Sequence, residues 1–372
     1  MTPEKISKKN VYILTFHCAH NYGAVLQTYA TLNFLRLHNY QVQVIDYRPK
    51  FLTKPFKRFR TKYYLARNPR LLIHRLFTEP RNLPQRFRLY KKFNSFIQTK
   101  LEPIPFGHIQ PNSFIIIGSD QVWSKSLNNG HFDNTYLGDF PHHNDFQLIA
   151  YAASIGNSHL LESDWTLLKN KLEKFKALSL REASFQSLLE KNISLKATLV
   201  CDPTLLLEAS DWEKLANEST IQIEGDYIIV YEVVESRAVK EFANKLSQQL
   251  HCKVINISSC ITYRKNKQNY IQDASPADFI KLIKFAKFVV TSSFHGTAFS
   301  IIFRKNFYTI SLSEGIDSRA KSLLTTIGLQ NRLIQSDAPI NLADINYLKP
   351  EKLLNEFRNI SNNFLFSSLN DK

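Results

Sequence analysis

The stretch that decides the fold is KFVVTSSFHGTAFSIIF, residues 287–303. It begins as an apolar run rich in β-branched residues, passes through small hydroxyl residues, His295 and a glycine, and ends as an apolar helix-like segment. This order is typical of a buried parallel strand whose carboxyl end turns into a helix. Because ligands of open parallel sheets bind at such corners, the position of His295 indicates a functional site.

Alternating strand-like and helix-like runs extend from this stretch over the chain in two series. The first series has strand-like runs at 11–17, 40–47, 114–123, 146–156, 175–184 and 196–207, with a helix-like run at 23–39. The second has strand-like runs at 227–233, 253–258, 287–293 and 306–312, with helix-like runs at 237–250, 276–286 and 318–329. This pattern predicts an α/β protein of two Rossmann-like doubly wound domains that face each other across a cleft.

A polar segment separates the two series and sets the expected domain boundary. We expect an N-terminal Rossmann-like domain over 1–208, a C-terminal one over 209–345, and a tail, 346–372, whose helix crosses back to the first domain. A basic and aromatic excursion over 50–100 interrupts the first domain. We expect it to form the acceptor or membrane side of the protein.

The composition is typical of a globular protein with buried cores. Of 372 residues, 44% are hydrophobic, which is enough for two cores. No apolar run reaches the length of a membrane span, and the N-terminal residues lack the features of a secretory signal, so we expect a cytoplasmic protein. Without CxxC spacing, the cysteines are expected to be buried thiols rather than disulfides: Cys18, Cys201, Cys252 and Cys260.

Most of the net charge of +16 lies in one segment. Residues 50–92 contain fourteen basic residues, one acid and eight aromatic residues. Three interpretations remain open: a surface that docks on an anionic membrane or a lipid-linked substrate, a solvated helical excursion, and a nucleic-acid surface. We regard nucleic acid as the least favoured, and we expect no nucleic-acid partner.

Polar corners at the ends of strand-like runs predict an anion-binding cleft. They lie at 17–24, 118–123, 154–157, 180–184 and 291–299. Gly23 and Gly296 open the helices that follow two of these corners. A helix start offers unpaired N–H groups and partial positive charge, and a glycine there leaves room for a ligand to come close. Neither corner carries GxGxxG or a P-loop, which disfavours nicotinamide cofactors and P-loop nucleotide hydrolysis.

Each candidate residue also has a structural interpretation. His17, Cys18 and His20 are of metal-binding types, but no second pair completes a set, so we expect no metal. His295 also fits a structural histidine, and Arg181 also fits an ion pair with the neighbouring Glu182.

Seven motifs in order resemble those of the polysaccharide pyruvyl transferase family, over about residues 11–330. They are NYGAVLQTYA (21–30), VIDYRP (44–49), IIGSDQVW (116–123), YAASIG (151–156), SLREAS (179–184), CDPTLLL (201–207) and VVTSSFHGTAFSIIF (289–303). The resemblance implies a two-domain fold like that of GT-B glycosyltransferases. It also implies transfer of pyruvate from phosphoenolpyruvate to a sugar of a surface-polysaccharide precursor, which forms a cyclic ketal without a cofactor.

The resemblance assigns roles to residues of this chain. His295 matches the family's general acid, a role that suits a group titrating near neutrality. The donor site would contain Arg181, Ser292, Ser293, Phe294, Gly296 and Thr297, with Arg319 as a further candidate. The acceptor side of the cleft would contain Asn21, Tyr22, Gly23, Ser119 and Asp120. This chain departs from some members at Ser293, where they carry an arginine that contacts the donor.

The implied partners are phosphoenolpyruvate and a sugar or lipid-linked oligosaccharide. Acceptors of this family are often carried on a lipid diphosphate at the inner membrane face, which would give residues 50–92 a purpose as a peripheral membrane contact. The main alternative is a GT-B-type glycosyltransferase that uses a nucleotide sugar, because the same two-domain fold suits both reactions.

Overall fold

Two parallel sheets, one after the other in the chain, form the framework of the protein. The computed structural model describes residues 10–53, 69–141, 145–156, 158–262, 268–312 and 314–370, and within these the side chains outside 69–79 and 314–316. Each sheet has six strands and is flanked by helices. This confirms the prediction of an α/β protein with two Rossmann-like doubly wound domains.

The first sheet contains the strands of the N-terminal series. They are β1 (Val11–Leu14), β2 (Val42–Val44), β3 (Ser113–Ile117), β4 (Phe146–Ala153), β5 (Ala177–Leu180) and β6 (Thr198–Leu199). Their order in the sheet is β2-β1-β3-β4-β5-β6. The chain leaves β1 in opposite directions toward β2 and β3, so the carboxyl ends of β1 and β3 open the crevice where ligands bind in such sheets.

The second sheet repeats this arrangement. Its strands are β7 (Tyr227–Tyr231), β8 (Lys253–Ile257), β9 (Tyr270–Ile271), β10 (Phe288–Thr291), β11 (Asn306–Ile310) and β12 (Leu333–Ile334). The order β12-β11-β10-β7-β8-β9 puts the switch point between β7 and β10. The corner that carries His295 follows β10, and therefore lies at the place where the topology predicts a ligand.

Eleven α-helices are described, and most follow a strand and cover one face of a sheet. They are α1 (Tyr22–Leu37), α2 (Lys50–Thr53), α3 (Pro69–Phe96), α4 (Glu162–Leu172), α5 (Ala183–Ile193), α6 (Ala209–Ala216), α7 (Arg237–Leu250), α8 (Pro276–Phe285), α9 (Phe294–Ile302), α10 (Glu314–Thr326) and α11 (Leu348–Ser368). Among the described residues, no helix is both long and apolar enough to cross a membrane.

Three segments differ from the sequence expectation. The strand expected over 40–47 is limited to β2, and of the one expected over 196–207 only β6 forms, before a short 3-10 turn at Pro203–Leu205. The polar segment after residue 208 contains α6, whose Trp212, Leu215 and Ala216 are buried. These three apolar residues share one helix face because they are three and four positions apart, which outweighs the polar average of the segment.

The two domains pack directly on each other near the start of α1. The Tyr22 ring stacks on Phe279 of α8 with centroids 4.6 Å apart, and its hydroxyl donates a hydrogen bond of 3.0 Å to the Ala274 carbonyl. Trp212 and Phe299 meet edge to face at 4.9 Å. Tyr22 is 0% exposed, so it belongs to the interdomain core rather than to an open acceptor cleft.

Helix α11 lies against the first domain. Arg358 donates a 2.6 Å hydrogen bond to the Leu205 carbonyl, and the Ser361 hydroxyl accepts one of 2.9 Å from the Cys201 amide. Lys176 donates to the Asn370 carbonyl at 2.7 Å. The chain after the second sheet is therefore held to the end of β6 and the start of β5.

The basic segment is described only in part, because residues 54–68 lie outside the described ranges. Two of its basic side chains, both on α3, pair with the second domain: Arg88 with Asp273 at 2.7 Å and Lys92 with Asp278 at 3.1 Å. Part of the segment's charge therefore serves the contact between the domains.

The cysteines follow the sequence expectation with one correction. All four are free thiols, and Cys18, Cys201 and Cys252 are buried. Cys260 is exposed, because it lies in the loop after β8 and not in an apolar strand.

Candidate functional site

The corner after β10 is fixed by the side chain of Thr291. Its hydroxyl donates a 2.5 Å hydrogen bond to the Tyr231 carbonyl and accepts one of 3.0 Å from the Ser293 amide. Ser293 is the N-cap of α9, so His295 stands in the first turn of this helix and is 6% exposed. A Cβ at Gly296 would lie 2.8 Å from the Cβ of Thr291, so this glycine allows the helix to pack closely on the strand end.

The imidazole of His295 reaches across to the first domain and lies against Gly23. A Cβ at Gly23 would overlap the ring and would lie 2.5 Å from its Cγ. We expected Gly23 to leave room for a ligand at the start of α1. The structure instead places His295 in that room, so the glycine is required by a contact between the domains.

Asp202 lies at the centre of the site. Its Oδ2 accepts a 2.6 Å hydrogen bond from Arg181 and one of 3.1 Å from the Ser119 hydroxyl, and it lies 3.8 Å from Nε2 of His295. Its Oδ1 accepts hydrogen bonds from the amide and the hydroxyl of Thr204, at 3.0 and 2.7 Å. One carboxylate thus joins the corners after β3, β5 and β6 to the corner after β10.

Arg181 contacts several of the predicted site residues. Its guanidinium lies over the Phe294 ring, 4.7 Å from the centroid, where the ring quadrupole attracts the cation. The Asp120 carboxylate lies 3.7 Å from the guanidinium. The ion pair of Arg181 is therefore with Asp202 and Asp120, and not with its neighbour Glu182, whose carboxylate accepts a hydrogen bond from Ser154.

Several buried polar atoms of this site have no hydrogen-bond partner among the described residues. They are Nε and one terminal nitrogen of Arg181, Nε of Arg319, Oε2 of Glu182 and Nε2 of His295. Burying a polar group without a partner costs roughly 1–3 kcal/mol, so such a cluster is uncommon unless a ligand completes it. The site therefore offers unused donors to an anion.

The electrostatics of His295 differ from the sequence expectation. Burial lowers the pKa of His295 to about 4, although the carboxylates of Asp202 and Asp120 act in the opposite direction. Arg181 and Arg319 lower this pKa further. We expected a group that titrates near neutrality, whereas the low pKa of His295 leaves its imidazole neutral at pH 7.

The arginines and carboxylates also influence one another. Burial and then the charge of Arg181 lower the pKa of Arg319, which indicates that the two guanidinium groups are close. Burial alone would raise the pKa of Asp202, but Arg181, His295 and Thr204 hold it below its usual value. Burial raises the pKa of Glu182 despite the charge of Arg181. Two neighbouring cations of this kind suit a multiply charged anion.

The remaining predicted site residues make contacts that stabilise the fold. Thr297 is 0% exposed, and its hydroxyl contacts the Ser293 carbonyl at 3.1 Å and the Thr309 hydroxyl at 2.7 Å, so it packs α9 against β11. Asn21 caps α1 by accepting a 3.3 Å hydrogen bond from the Ala24 amide. Ser292 is half-buried at the corner.

The sequence predicted no role in the site for Asp202, and it predicted Glu182 only as an ion-pair partner of Arg181. Both were visible as carboxylates at the ends of strand-like runs, inside the motifs CDPTLLL and SLREAS. The role of Asp202 could not be predicted, because its partners Arg181, Ser119 and His295 are far away in the chain and only the folded protein brings them together.

The histidines of the first corner contact other side chains of the first domain. His17 makes a 2.9 Å contact with Asp46, and His20 lies between the rings of Tyr90 and Phe93. Within the described ranges, no group of three histidine, cysteine or acidic side chains is arranged to hold a metal ion.

The fold and this site together define a two-domain α/β protein with an interdomain, arginine-rich site. The model of the polysaccharide pyruvyl transferase family matches residues 21–314, which span both sheets. The chain belongs to the polysaccharide pyruvyl transferase family. No curated protein matches the sequence.

The solved structures to which the chain is similar share little sequence with it. UDP-N-acetylglucosamine 2-epimerase from Rickettsia bellii has a TM-score of 0.45 and 11% identity, with 97% of each chain covered. The Neisseria meningitidis UDP-GlcNAc 2-epimerase bound to UDP-GlcNAc has a TM-score of 0.44 and 9% identity, covering 96% of this chain and 100% of the other. E. coli ADP-heptose lps heptosyltransferase II has a TM-score of 0.35 and 11% identity, covering 95% and 98%.

Proposed function

We propose that this protein transfers pyruvate from phosphoenolpyruvate to a sugar of a surface-polysaccharide precursor and forms a pyruvate ketal. The observation that carries the proposal is that two guanidinium groups act on His295, those of the buried Arg181 and the half-buried Arg319, and that each has a buried donor without a partner among the described residues. Phosphoenolpyruvate carries a carboxylate and a phosphate, and the planar arginine fork suits both groups.

His295 is the acid in this proposal. A proton delivered to the methylene carbon of phosphoenolpyruvate creates a positive centre at C2, which one sugar hydroxyl attacks. Phosphate then leaves, and a second hydroxyl attacks the same carbon, so one donor and one diol give one ketal and one inorganic phosphate. The low pKa of His295 keeps its imidazole neutral at pH 7, and the bound donor supplies the negative charge that favours its protonation.

The second domain argues against a nucleotide-sugar donor. The other side of its switch point, after β7, carries Glu232, which is 4% exposed and accepts a 2.9 Å hydrogen bond from the Ser236 amide. Glu232 and Glu235 line a cavity of only about 10 Å³ there, together with Lys240, whose ammonium pairs with Glu235 at 2.6 Å. A diphosphate at this corner would meet carboxylates, whereas phosphates are bound by N–H donors and cations.

Thermal stabilisation distinguishes the two donors. We expect phosphoenolpyruvate to raise the Tm of the protein, because a ligand that binds only the folded state stabilises it by about 2.7 kcal/mol at 100 times its Kd. Nucleotide sugars should leave the Tm unchanged. Stabilisation by nucleotide sugars but not by phosphoenolpyruvate would favour the glycosyltransferase. If phosphoenolpyruvate does stabilise the protein, an assay of phosphate release with lipid-linked sugars tests turnover directly.

The basic segment, residues 50–92, suits an anionic membrane that carries the acceptor. Each basic side chain near such a surface contributes about 1 kcal/mol. We expect the protein to co-sediment with anionic vesicles but not with neutral ones. The triple variant Lys54→Glu/Lys57→Glu/Arg58→Glu should lose most of this binding, and Lys245→Glu, an exposed charge reversal on α7, should keep it.

Equal sedimentation with neutral and anionic vesicles would contradict the membrane contact while leaving the chemistry untouched. A steep, salt-dependent affinity for nucleic acid without vesicle binding would replace it by a nucleic-acid surface.

A further inference from the structure

The Asp202 carboxylate contacts both halves of the site. It follows β6 in the first domain, yet its Oδ2 lies 3.8 Å from Nε2 of His295 in the second. Its side chain is 0% exposed and is held by four hydrogen bonds, two to each oxygen. Asp202 therefore keeps its place whether or not the cleft is occupied.

The gap between Asp202 and His295 is longer than a hydrogen bond, which fits an imidazole without a proton on Nε2. A proton on this nitrogen would face the Asp202 carboxylate. The other charged groups that face His295 are Asp120 after β3, Arg181 after β5 and Arg319 on α10. The two aspartates favour the imidazolium, and the two arginines oppose it.

An anionic donor changes this balance. When its carboxylate and phosphate pair with Arg181 and Arg319, they offset the two charges that oppose a proton on His295. Asp202 cannot follow the donor, because Ser119 and Thr204 hold both of its oxygens. Its full negative charge then acts on the imidazole.

We propose that Asp202 is a positioning residue that accepts a hydrogen bond from the Nε2–H of His295 once the donor has bound, so that donor binding leads to protonation of His295. This proposal rests on the function proposed above. The imidazole takes one proton from solvent and delivers the proton on Nδ1 to the methylene carbon of the donor. It thereby returns to its neutral form, and Asp202 remains a carboxylate throughout.

Calorimetric titration with phosphoenolpyruvate at pH 7, in buffers of different ionisation enthalpy, measures the protons taken up per donor bound. We expect close to one proton for the wild type and a clear loss of uptake in Asp202→Asn, which preserves the size of the side chain. Asp337→Asn makes the same substitution at an exposed aspartate outside the site, and should keep the uptake.

The pH profile gives a second readout that a purely structural role would not move. The acid must be protonated, so kcat falls as the pH rises through the pKa of His295 in the donor complex. Removing the negative charge of Asp202 lowers this pKa, and the fall in kcat should move by about one pH unit or more toward acid in Asp202→Asn. An unchanged profile with unchanged proton uptake would overturn the role of Asp202.

Two outcomes separate this inference from the proposed function. Wild type that binds and turns over phosphoenolpyruvate without proton uptake contradicts the inference alone, whereas wild type that neither binds nor turns it over contradicts the function. If Asp202→Asn does not fold, ¹⁵N NMR of the wild-type histidines decides the question. The His295 signals, assigned by their loss in His295→Gln, should change to imidazolium values on adding phosphoenolpyruvate at pH 7, and no change overturns the proposal.

Discussion

Replacing His295 by glutamine is expected to lower kcat for phosphate release from phosphoenolpyruvate by about 100-fold to 10,000-fold, the usual contribution of a general acid. Glutamine fills much of the space of the imidazole but cannot deliver a proton. Because Arg181 and Arg319 remain, the Kd for phosphoenolpyruvate should change by only a few-fold. Stopped assays of phosphate release, together with calorimetric binding, measure the two quantities separately.

The matched control for this experiment is His108→Gln, an exposed histidine at the end of a 3-10 turn. It should leave both kcat and Kd unchanged. If His295→Gln releases phosphate as fast as the wild type, His295 is a structural histidine and the acid lies elsewhere. Glu182 would then be the next candidate, because burial raises the pKa of its carboxyl and keeps it protonated at higher pH than usual.

The pattern of apolar runs was sufficient to predict the fold, because buried parallel strands and their covering helices have different periods. It also placed His295 at a strand end, where the switch point between β7 and β10 now explains its position. Strand lengths were less predictable. β2 ends at Val44 although the alternation runs on to Tyr47, since the backbone of Asp46 bonds to the Ile104 carbonyl outside the sheet.

Electrostatics at the site could not be predicted from the sequence. A histidine at a strand end suggests a group that titrates near neutrality, but the pKa of His295 depends on burial between two domains and on four charges from distant parts of the chain. The role of Gly23 was hidden for the same reason. A glycine at a helix start predicts room for a ligand, and only the packed domains show that an imidazole occupies that room.

This contact leads to the second large effect, which is expected for Gly23→Ala. The added Cβ would lie 2.5 Å from Cγ of His295, and so near the root of the side chain that a small rotation of the ring does not relieve the overlap. Either the imidazole moves or the start of α1 moves away from α9. A displacement of about 1 Å in a catalytic group costs about 100-fold in rate, so we expect kcat to fall by at least that factor.

The same overlap should destabilise the protein by about 1–3 kcal/mol, the usual cost of overpacking a buried contact. Gly107→Ala is the matched control, since nothing lies within 4 Å of a Cβ at Gly107. It should change neither kcat nor Tm. Wild-type kcat in Gly23→Ala would show that the ring and α1 separate during catalysis. Loss of kcat with an unchanged Kd for phosphoenolpyruvate would show instead that the His295 contact with α1 persists in the working enzyme.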